Sequence, residues 1–154
     1  MLYLFRIIKN EIVSDLSSPG SFFVYAAVVA TFFVSGDYNF AVQLFIAAFA
    51  VSASIYIIKL FYYKPRPDNP RKIKYKDIFV KLNESSFPSV HSARATLLGM
   101  AFISRYQTPI AISFAALIIL SVAISRLMLK RHYISDVVAG ILLGAFTGYL
   151  VFLA

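Results

Sequence analysis

The chain has 154 residues, enough for one domain, and carries a formal net charge of +8. Its residues are 60% hydrophobic and only 14% charged, whereas soluble domains average about 45–50% and about 25%. This composition excludes an ordinary soluble domain and indicates an integral membrane protein. The absence of cysteine from the sequence excludes disulfides, thiolate catalysis and cysteine-based metal sites.

The first predicted element is an amphipathic helix at residues 2–16. Its apolar residues recur at helical spacing with charged and polar residues between them: Leu2, Phe5, Ile8, Ile12 and Leu16. We expect this helix to lie in the membrane interface, and a sixth, poorly formed span is the alternative. The segment has charge within its apolar stretch and no small-residue cleavage site, so we expect no cleavable signal peptide.

Five apolar runs follow, of which the first is marginally short for the roughly 20 residues that a spanning helix needs. They are continuous rather than alternating, which disfavours strands. The sequence therefore predicts an all-α, polytopic membrane helical bundle with five transmembrane helices plus an N-terminal interfacial amphipathic helix, in a single domain over residues 1–154. The predicted spans cover roughly residues 22–34, 40–62, 89–103, 109–128 and 134–153.

Alternating the direction of these spans places every charge-rich segment at one membrane face. That face carries 14 of the 15 Lys and Arg residues, all except Arg105. Because these residues lie beside membrane spans, anionic lipid headgroups or a phosphate-bearing substrate are favoured over nucleic acid as partners.

The turn before the last span, "SRLMLKRHYISD", is unusually polar for a membrane boundary, where charge is costly. If the span begins near His132, Asp136 lies one turn later on the same helix face. The carboxylate can then hold one imidazole N–H and leave the other nitrogen outward as a nucleophile or base. The competing interpretation is a boundary pair that only caps the helix or snorkels.

The third predicted span begins at the same face, with Ser89 and His91 directly after a proline. Free N–H groups and the positive dipole end of a helix N-terminus suit a phosphate. Taken alone, Ser89 is also explained as an N-cap and His91 as a buried, hydrogen-bonded histidine. However, the sequence has only two histidines, and both fall at this face.

Three cations complete the candidate site: Lys59 at the end of the second span, Arg66 just outside it, and Arg126 at the end of the fourth. Together they can surround a dianionic phosphate, and the guanidinium fork suits phosphoryl oxygens. Alone, Lys59 is equally a snorkelling lysine, and Arg66 a contact to headgroups.

These clusters resemble the three motifs of the type 2 phosphatidic acid phosphatase superfamily, membrane lipid phosphatases related to vanadium haloperoxidases. The motifs read Lys, six residues, Arg-Pro; then Pro-Ser-Gly-His; then Ser-Arg, five residues, His, three residues, Asp. One departure is Val90, which stands where the family usually has glycine and crowds the phosphate site. The matching residues are Lys59, Arg66 and Pro67; Pro88, Ser89 and His91; and Ser125, Arg126, His132 and Asp136.

The resemblance implies that His132 attacks phosphorus to form a phosphohistidine, that Asp136 orients it, and that His91 protonates the leaving oxygen. The family needs no metal or other cofactor, and the acidic residues near this face are scattered, which is a poor cage for a hard divalent cation. Arg94, one turn beyond His91, is a candidate contact to a second phosphate or a headgroup, or a snorkelling arginine. The implied phosphate-binding groups are Lys59, Arg66, Ser89, Ser125, Arg126 and backbone N–H groups near Val90 and His91.

The implied function is metal-independent hydrolysis of a lipid phosphate monoester or diphosphate. Polyprenyl diphosphate, phosphatidylglycerol phosphate, phosphatidic acid and lipid A 1-phosphate are the candidate substrates. The alternatives are a lipid-to-lipid phosphotransferase of the same fold, a non-catalytic lipid-binding membrane protein, and a small transporter or channel subunit. The last of these predicts polar residues along the middle of the spans, and the sequence shows few.

The implied location is the cell (inner) membrane, with the active site at one face. The positive-inside rule places the charged face in the cytoplasm. Resemblance to many bacterial family members places it outside, and we favour that side because some of the basic residues would serve phosphate binding.

Overall fold

The structure, a computed structural model, describes residues 20–69 and 78–154, so the predicted amphipathic helix at residues 2–16 lies outside it. Within these ranges the fold is all-helical and has no β-strand, which confirms the predicted all-α class. The six described helices are α1 (Phe22–Val34), α2 (Tyr38–Phe61), α3 (Ile78–Glu84), α4 (Val90–Tyr106), α5 (Pro109–Met128) and α6 (Ile134–Phe152).

The helix starts follow local capping chemistry. Ser21 Oγ accepts a hydrogen bond from Val24 N at 3.0 Å, and Thr108 Oγ1 accepts one from Ala111 N at 3.2 Å. Each satisfies an N–H group that the first helical turn leaves without a partner. Pro109 then occupies the first turn of α5, where its missing N–H costs nothing.

Three of the described helices, α2, α5 and α6, are long and apolar enough to cross a membrane. Helix α1 has only 13 residues, and α4 has 17 residues and includes Arg94 and Thr96. Helices thus lie at all five predicted positions, while the number of spans remains a prediction. Large apolar side chains such as Phe45 and Phe49 are exposed, as expected on a surface that faces lipid.

Helix α6 packs closely against α4 through glycines at every fourth position. A Cβ atom added at Gly140 would lie 2.4 Å from the carbonyl oxygen of Ser89, and one at Gly144 would lie 2.4 Å from that of Ala93. No side chain fits at such a distance, so only glycine allows the two backbones to meet. Because both helices begin at the same end of the bundle, this contact fixes their N-terminal residues relative to each other.

Candidate active site

A cavity of about 100 Å³ lies where α2 ends and where α4 and α6 begin. It brings together residues of all three predicted clusters, which are far apart in the sequence. The residues that line it are Tyr56, Lys59, Arg66, Leu82, Asn83, Val90, His91, Arg94, Arg126, Arg131 and His132.

Two of the cations are held by carbonyl groups of the segment that connects α2 to α4. Lys59 is only 4% exposed, and its Nζ donates to Ser85 O at 2.9 Å. Arg66 is also buried, and its Nη2 donates to the carbonyl of Asn83. A buried cation with fixed donors is oriented before any ligand arrives, which suits anion recognition.

Two further arginines enter the cavity from the end of α5 and the connector after it. Arg126 is 1% exposed, and its Nη2 lies 3.4 Å from Ser125 Oγ. Arg131 lines the cavity and forms an ion pair with Asp68 at 3.1 Å, which ties this connector to the loop after α2. Arg131 was not among the predicted site residues, although its position directly before His132 could have indicated a role in the site.

His132 is 6% exposed, and its Nδ1 lies 2.7 Å from the carbonyl oxygen of Ser86. A carbonyl can only accept, so Nδ1 carries the proton and donates it in this bond. In the neutral ring the other nitrogen, Nε2, then keeps its lone pair. His132 therefore has the tautomer that a nucleophile at this cavity needs.

The carboxylate of Asp136 was expected to hold this imidazole, but its Oδ2 lies 3.9 Å from His132 Nδ1, beyond hydrogen-bond distance. Asp136 is fully buried; Oδ2 accepts from Tyr133 N at 2.8 Å and Oδ1 accepts from Lys64 Nζ at 2.6 Å. The direct orienting contact is thus made by the backbone of Ser86. The sequence did not indicate this contact, because every residue has a backbone carbonyl group.

The surroundings of His132 favour its neutral form. Burial lowers the pKa of His132 well below its ordinary value, and the positive charges of Arg66 and Lys59 lower the pKa further. An imidazole of this kind is uncharged near pH 7, so its nitrogen lone pair is available for attack on an electrophile.

The N-terminus of α4 meets the cavity through Val90 and His91, its first two residues. Ser89 is the N-cap: its Oγ accepts from Ser92 N at 3.3 Å, and the residue is fully buried. Helix N-termini carry N–H groups and partial positive charge that favour anions. The structure thus places His91 and Val90 on the cavity wall and Ser89 just behind it.

Arg94 lines both the cavity and a second, larger space of about 550 Å³ between α1 and α2. Its guanidinium lies 5.7 Å from the ring centre of Phe22, and Nη2 is 3.4 Å from Ser52 Oγ. The lining of this larger space is otherwise mostly apolar: Phe22, Tyr25, Ala26, Val29, Ala30, Phe33, Val34, Phe45, Ala48, Phe49 and Ser52. We call it the α1–α2 groove.

The cavity therefore combines several cations with two histidines, and none of the described residues that line it is a carboxylate. Such a site suits a small, multiply charged anion. Among the described residues, no group of three or more His, Asp or Glu side chains has the arrangement of a metal site.

Comparison with known sequences places the chain in a family. The sequence model of the PAP2 superfamily matches residues 23–154, which include every residue of the cavity. The chain belongs to the PAP2 superfamily. This finding confirms the resemblance that the three motifs indicated.

Two relatives of this PAP2 chain are decaprenylphosphoryl-5-phosphoribose phosphatases of Mycobacterium tuberculosis, from strains CDC 1551 / Oshkosh and ATCC 25618 / H37Rv. Each is 32% identical over 104 residues, which is 68% of this chain and 55% of the relative. The chain thus spans about half the length of these curated relatives.

The crystal structure of Aquifex aeolicus LpxE has a similar fold. The TM-score is 0.69 at 22% sequence identity, and the match covers 86% of this chain and 78% of LpxE. This likeness supports the helical arrangement of the PAP2 chain.

Proposed function

We propose that this PAP2 chain hydrolyses a lipid phosphate without a metal, through a phosphohistidine at His132. The observation that carries the proposal is the cavity, where a buried imidazole held at Nδ1 by the Ser86 carbonyl lies among buried cations. A cation-rich site can hold the phosphate and stabilise the charge that develops as it is transferred.

The reaction proceeds in two steps. Nε2 of His132 attacks phosphorus, the bond between phosphorus and the lipid oxygen breaks, and the protonated imidazole of His91 gives its proton to that oxygen. Water then attacks the phosphohistidine, His91 takes up the proton that water releases, and inorganic phosphate leaves. Lys59, Arg66 and Arg126 neutralise the phosphoryl oxygens in both steps.

The lipid portion has a place to lie in the α1–α2 groove. The groove is apolar, it has about 550 Å³ of space, and Arg94 lines both it and the cavity. A lipid whose phosphate occupies the cavity can therefore extend its chain sideways along α1 and α2 into the bilayer. Arg94, at the junction, would contact the headgroup or a second phosphate.

The substrate candidates are polyprenyl diphosphate, phosphatidylglycerol phosphate, phosphatidic acid and lipid A 1-phosphate. The names of the mycobacterial relatives favour phosphates carried on polyprenyl lipids. We therefore place a polyprenyl-linked phosphate first among the substrates to be tested.

For the membrane arrangement, we propose five spans, at α1, α2, α4, α5 and α6, with residues 2–16 in the interface and the cavity at the extracytoplasmic face. A reporter that is active only in one compartment, fused after Ala154, tests this topology. With five spans, the fusion point and the cavity lie on opposite sides of the membrane, so a cytoplasmic reporter signal is expected. An external signal would contradict the proposed orientation.

The decisive experiment is release of inorganic phosphate by the purified protein from a panel of lipid phosphates, with His132→Ala as the control. We expect release from at least one lipid and none from the variant. A radiolabelled phosphate that moves to a second lipid would instead show a phosphotransferase. If the folded protein binds these lipids but transfers phosphate to neither acceptor, it is a lipid-binding protein and the proposal fails.

A further inference from the structure

Lys64 belongs to no motif and does not line the cavity, yet its side chain enters the region behind His132. Its Nζ donates to Asp136 Oδ1 at 2.6 Å and to Ser135 Oγ at 2.8 Å. The ammonium also lies 4.4 Å from the ring centre of Tyr133. Three of the four residues after His132 therefore contact one lysine.

The backbone of Lys64 makes a second set of contacts, which lead to the other neighbour of His132 Nδ1. Its carbonyl oxygen accepts from Ser86 N at 2.8 Å and from Ser86 Oγ at 3.2 Å. The carbonyl of Ser86 is the group that accepts from His132 Nδ1 at 2.7 Å. The main chain of Lys64 thus holds the acceptor that fixes the ring.

These contacts also balance charge. Asp136 is fully buried, and a buried carboxylate without a cation is strongly unfavourable. Lys64, whose side chain is 24% exposed, supplies that cation. The carboxylate then lies 3.9 Å from His132 Nδ1 as half of an ion pair rather than as a lone negative charge.

We propose that Lys64 is a positioning residue for His132: its main-chain carbonyl holds Ser86, and its ammonium acts through Asp136, which is the contact that side-chain variants test. The assignment of His132 as the nucleophile rests on the proposed function. The role of Lys64 in neutralising Asp136 does not, so the two are tested separately.

Removal of the ammonium exposes His132 to an unbalanced negative charge. Among the described residues, Lys59, Arg66 and His91 face the imidazole and act to lower its pKa, and Arg126 and Arg131 line the same cavity. With Lys64→Met, the uncompensated carboxylate of Asp136 stabilises the protonated imidazole. The fall of kcat/KM at low pH, which is the acid limb of its pH profile, therefore moves to higher pH, because His132 must be neutral to attack.

The kinetic test uses an aryl phosphate and the variants Lys64→Met and Lys64→Arg. We expect kcat to fall by up to about 10²-fold in Lys64→Met with KM little changed, since a displacement near 1 Å can cost this much. Lys64→Arg keeps the charge and recovers part of kcat. The control Arg105→Met removes an ion pair with Asp37 elsewhere in the chain and leaves kcat unchanged. Unchanged kcat and an unshifted limb in Lys64→Met overturn the proposal.

A double variant separates charge balance from simple damage. Lys64→Met with Asp136→Asn removes both partners of the pair, which is far less costly than removing one. The acid limb is expected to return toward that of the parent. Where Lys64→Met fails to insert, Lys64→Gln keeps a donor but not the charge, and the same limb shift is expected. A limb that stays displaced in the double variant, or does not move in Lys64→Gln, contradicts the assignment.

An NMR titration keeps the result independent of activity. The sequence has two histidines, so a protein carrying a tag without histidine gives two imidazole signals, assigned with His91→Gln. We expect the His132 signal to titrate at higher pH in Lys64→Met than in the parent. If the parent releases no phosphate but this shift occurs, the proposed function fails and the positioning role stands. If the parent is active and the signal does not move, the positioning role fails.

Discussion

Two helix pairs of this small bundle pack at different distances. Helices α4 and α6 are in close contact, whereas α1 and α2 leave a groove between them. Between α4 and α6, Gly140 and Gly144 bring one helix backbone against carbonyl oxygens of the other. Between α1 and α2, aromatic and small residues leave a groove of about 550 Å³. The same chain therefore contains one closely packed helix pair and one with room for a lipid chain.

The difference separates two requirements of the proposed reaction. His91 lies in α4 and His132 lies just before α6, so their separation depends on the close pair. The apolar chain of a substrate varies in conformation, and the looser pair can accommodate it. Variants of the two regions should therefore affect different kinetic parameters.

The largest effect is expected from the histidines at the end of the close pair. His132→Ala should be inactive on every substrate, because no covalent intermediate can form. His91→Ala should retain much more activity on a nitrophenyl phosphate, whose leaving group needs no proton, than on a lipid monoester. General acid catalysis is typically worth about 10²–10⁴-fold. The measurement is kcat/KM for both substrates in each variant, and rescue of His132→Ala by the good leaving group would reverse the roles.

Gly144→Leu should separate α4 from α6 and displace the two histidines. A displacement near 1 Å at a catalytic site costs about 10²-fold in rate, and we expect kcat to fall by this amount on lipid and aryl substrates alike. Ala145→Leu, on the next residue and partly exposed, is the matched control and should change kcat little. Equal kcat in both variants, measured on protein of equal thermal stability, would show that the glycine contact does not position the two histidines.

Much of this arrangement could be predicted from the sequence, because apolar runs and motif residues are properties of single positions. All five predicted spans coincide with helices, and Lys59, Arg66, His91, Arg126 and His132 do line one cavity. Their catalytic roles remain predictions.

Other features depend on pairs of segments, and a single sequence does not show which segments lie together. Lys64 was one basic residue among many in a basic connector. The carbonyl of Ser86 is present whatever the side chain is. The spacing of Gly140 and Gly144 is typical of a close helix contact, but only the structure shows that α4 is the partner.

Filling the α1–α2 groove should affect lipid substrates alone. Ala30→Phe introduces a ring where a lipid chain would lie, and loss of about two buried methylene groups, at about 0.8 kcal/mol each, lowers kcat/KM about tenfold. Activity on nitrophenyl phosphate should be unchanged. Ala116→Phe, exposed on α5, is the control. Equal losses on both substrates, or a loss in the control, would contradict a lipid site in the groove.

The acid limb of the pH profile reports on the cavity itself. Because the pKa of His132 is lowered, this residue stays neutral as the pH falls through about 6.5, the value of an unperturbed histidine. We expect the limb of kcat/KM for nitrophenyl phosphate to lie below that value, after correction for the measured ionisation of the substrate. A limb above it would mean that burial and the neighbouring cations do not control His132.

The smallest effect is expected from chelation. In the proposed mechanism Lys59, Arg66 and Arg126 neutralise the phosphoryl oxygens, so EDTA should leave phosphate release unchanged. Vanadate should inhibit competitively because it mimics pentacoordinate phosphorus. Loss of turnover in EDTA that magnesium restores would overturn the metal-independent mechanism.

Helices α4 and α6 run in the same direction, and the amide of Ser89 bonds to the carbonyl of Asp136 at 3.0 Å where both begin. Parallel neighbours cannot be joined by a short hairpin, so the chain returns through α5 before α6 begins. The two histidines are therefore brought together by a contact between segments distant in the chain. Phosphate release during synthesis would then begin only once α6 has packed against α4.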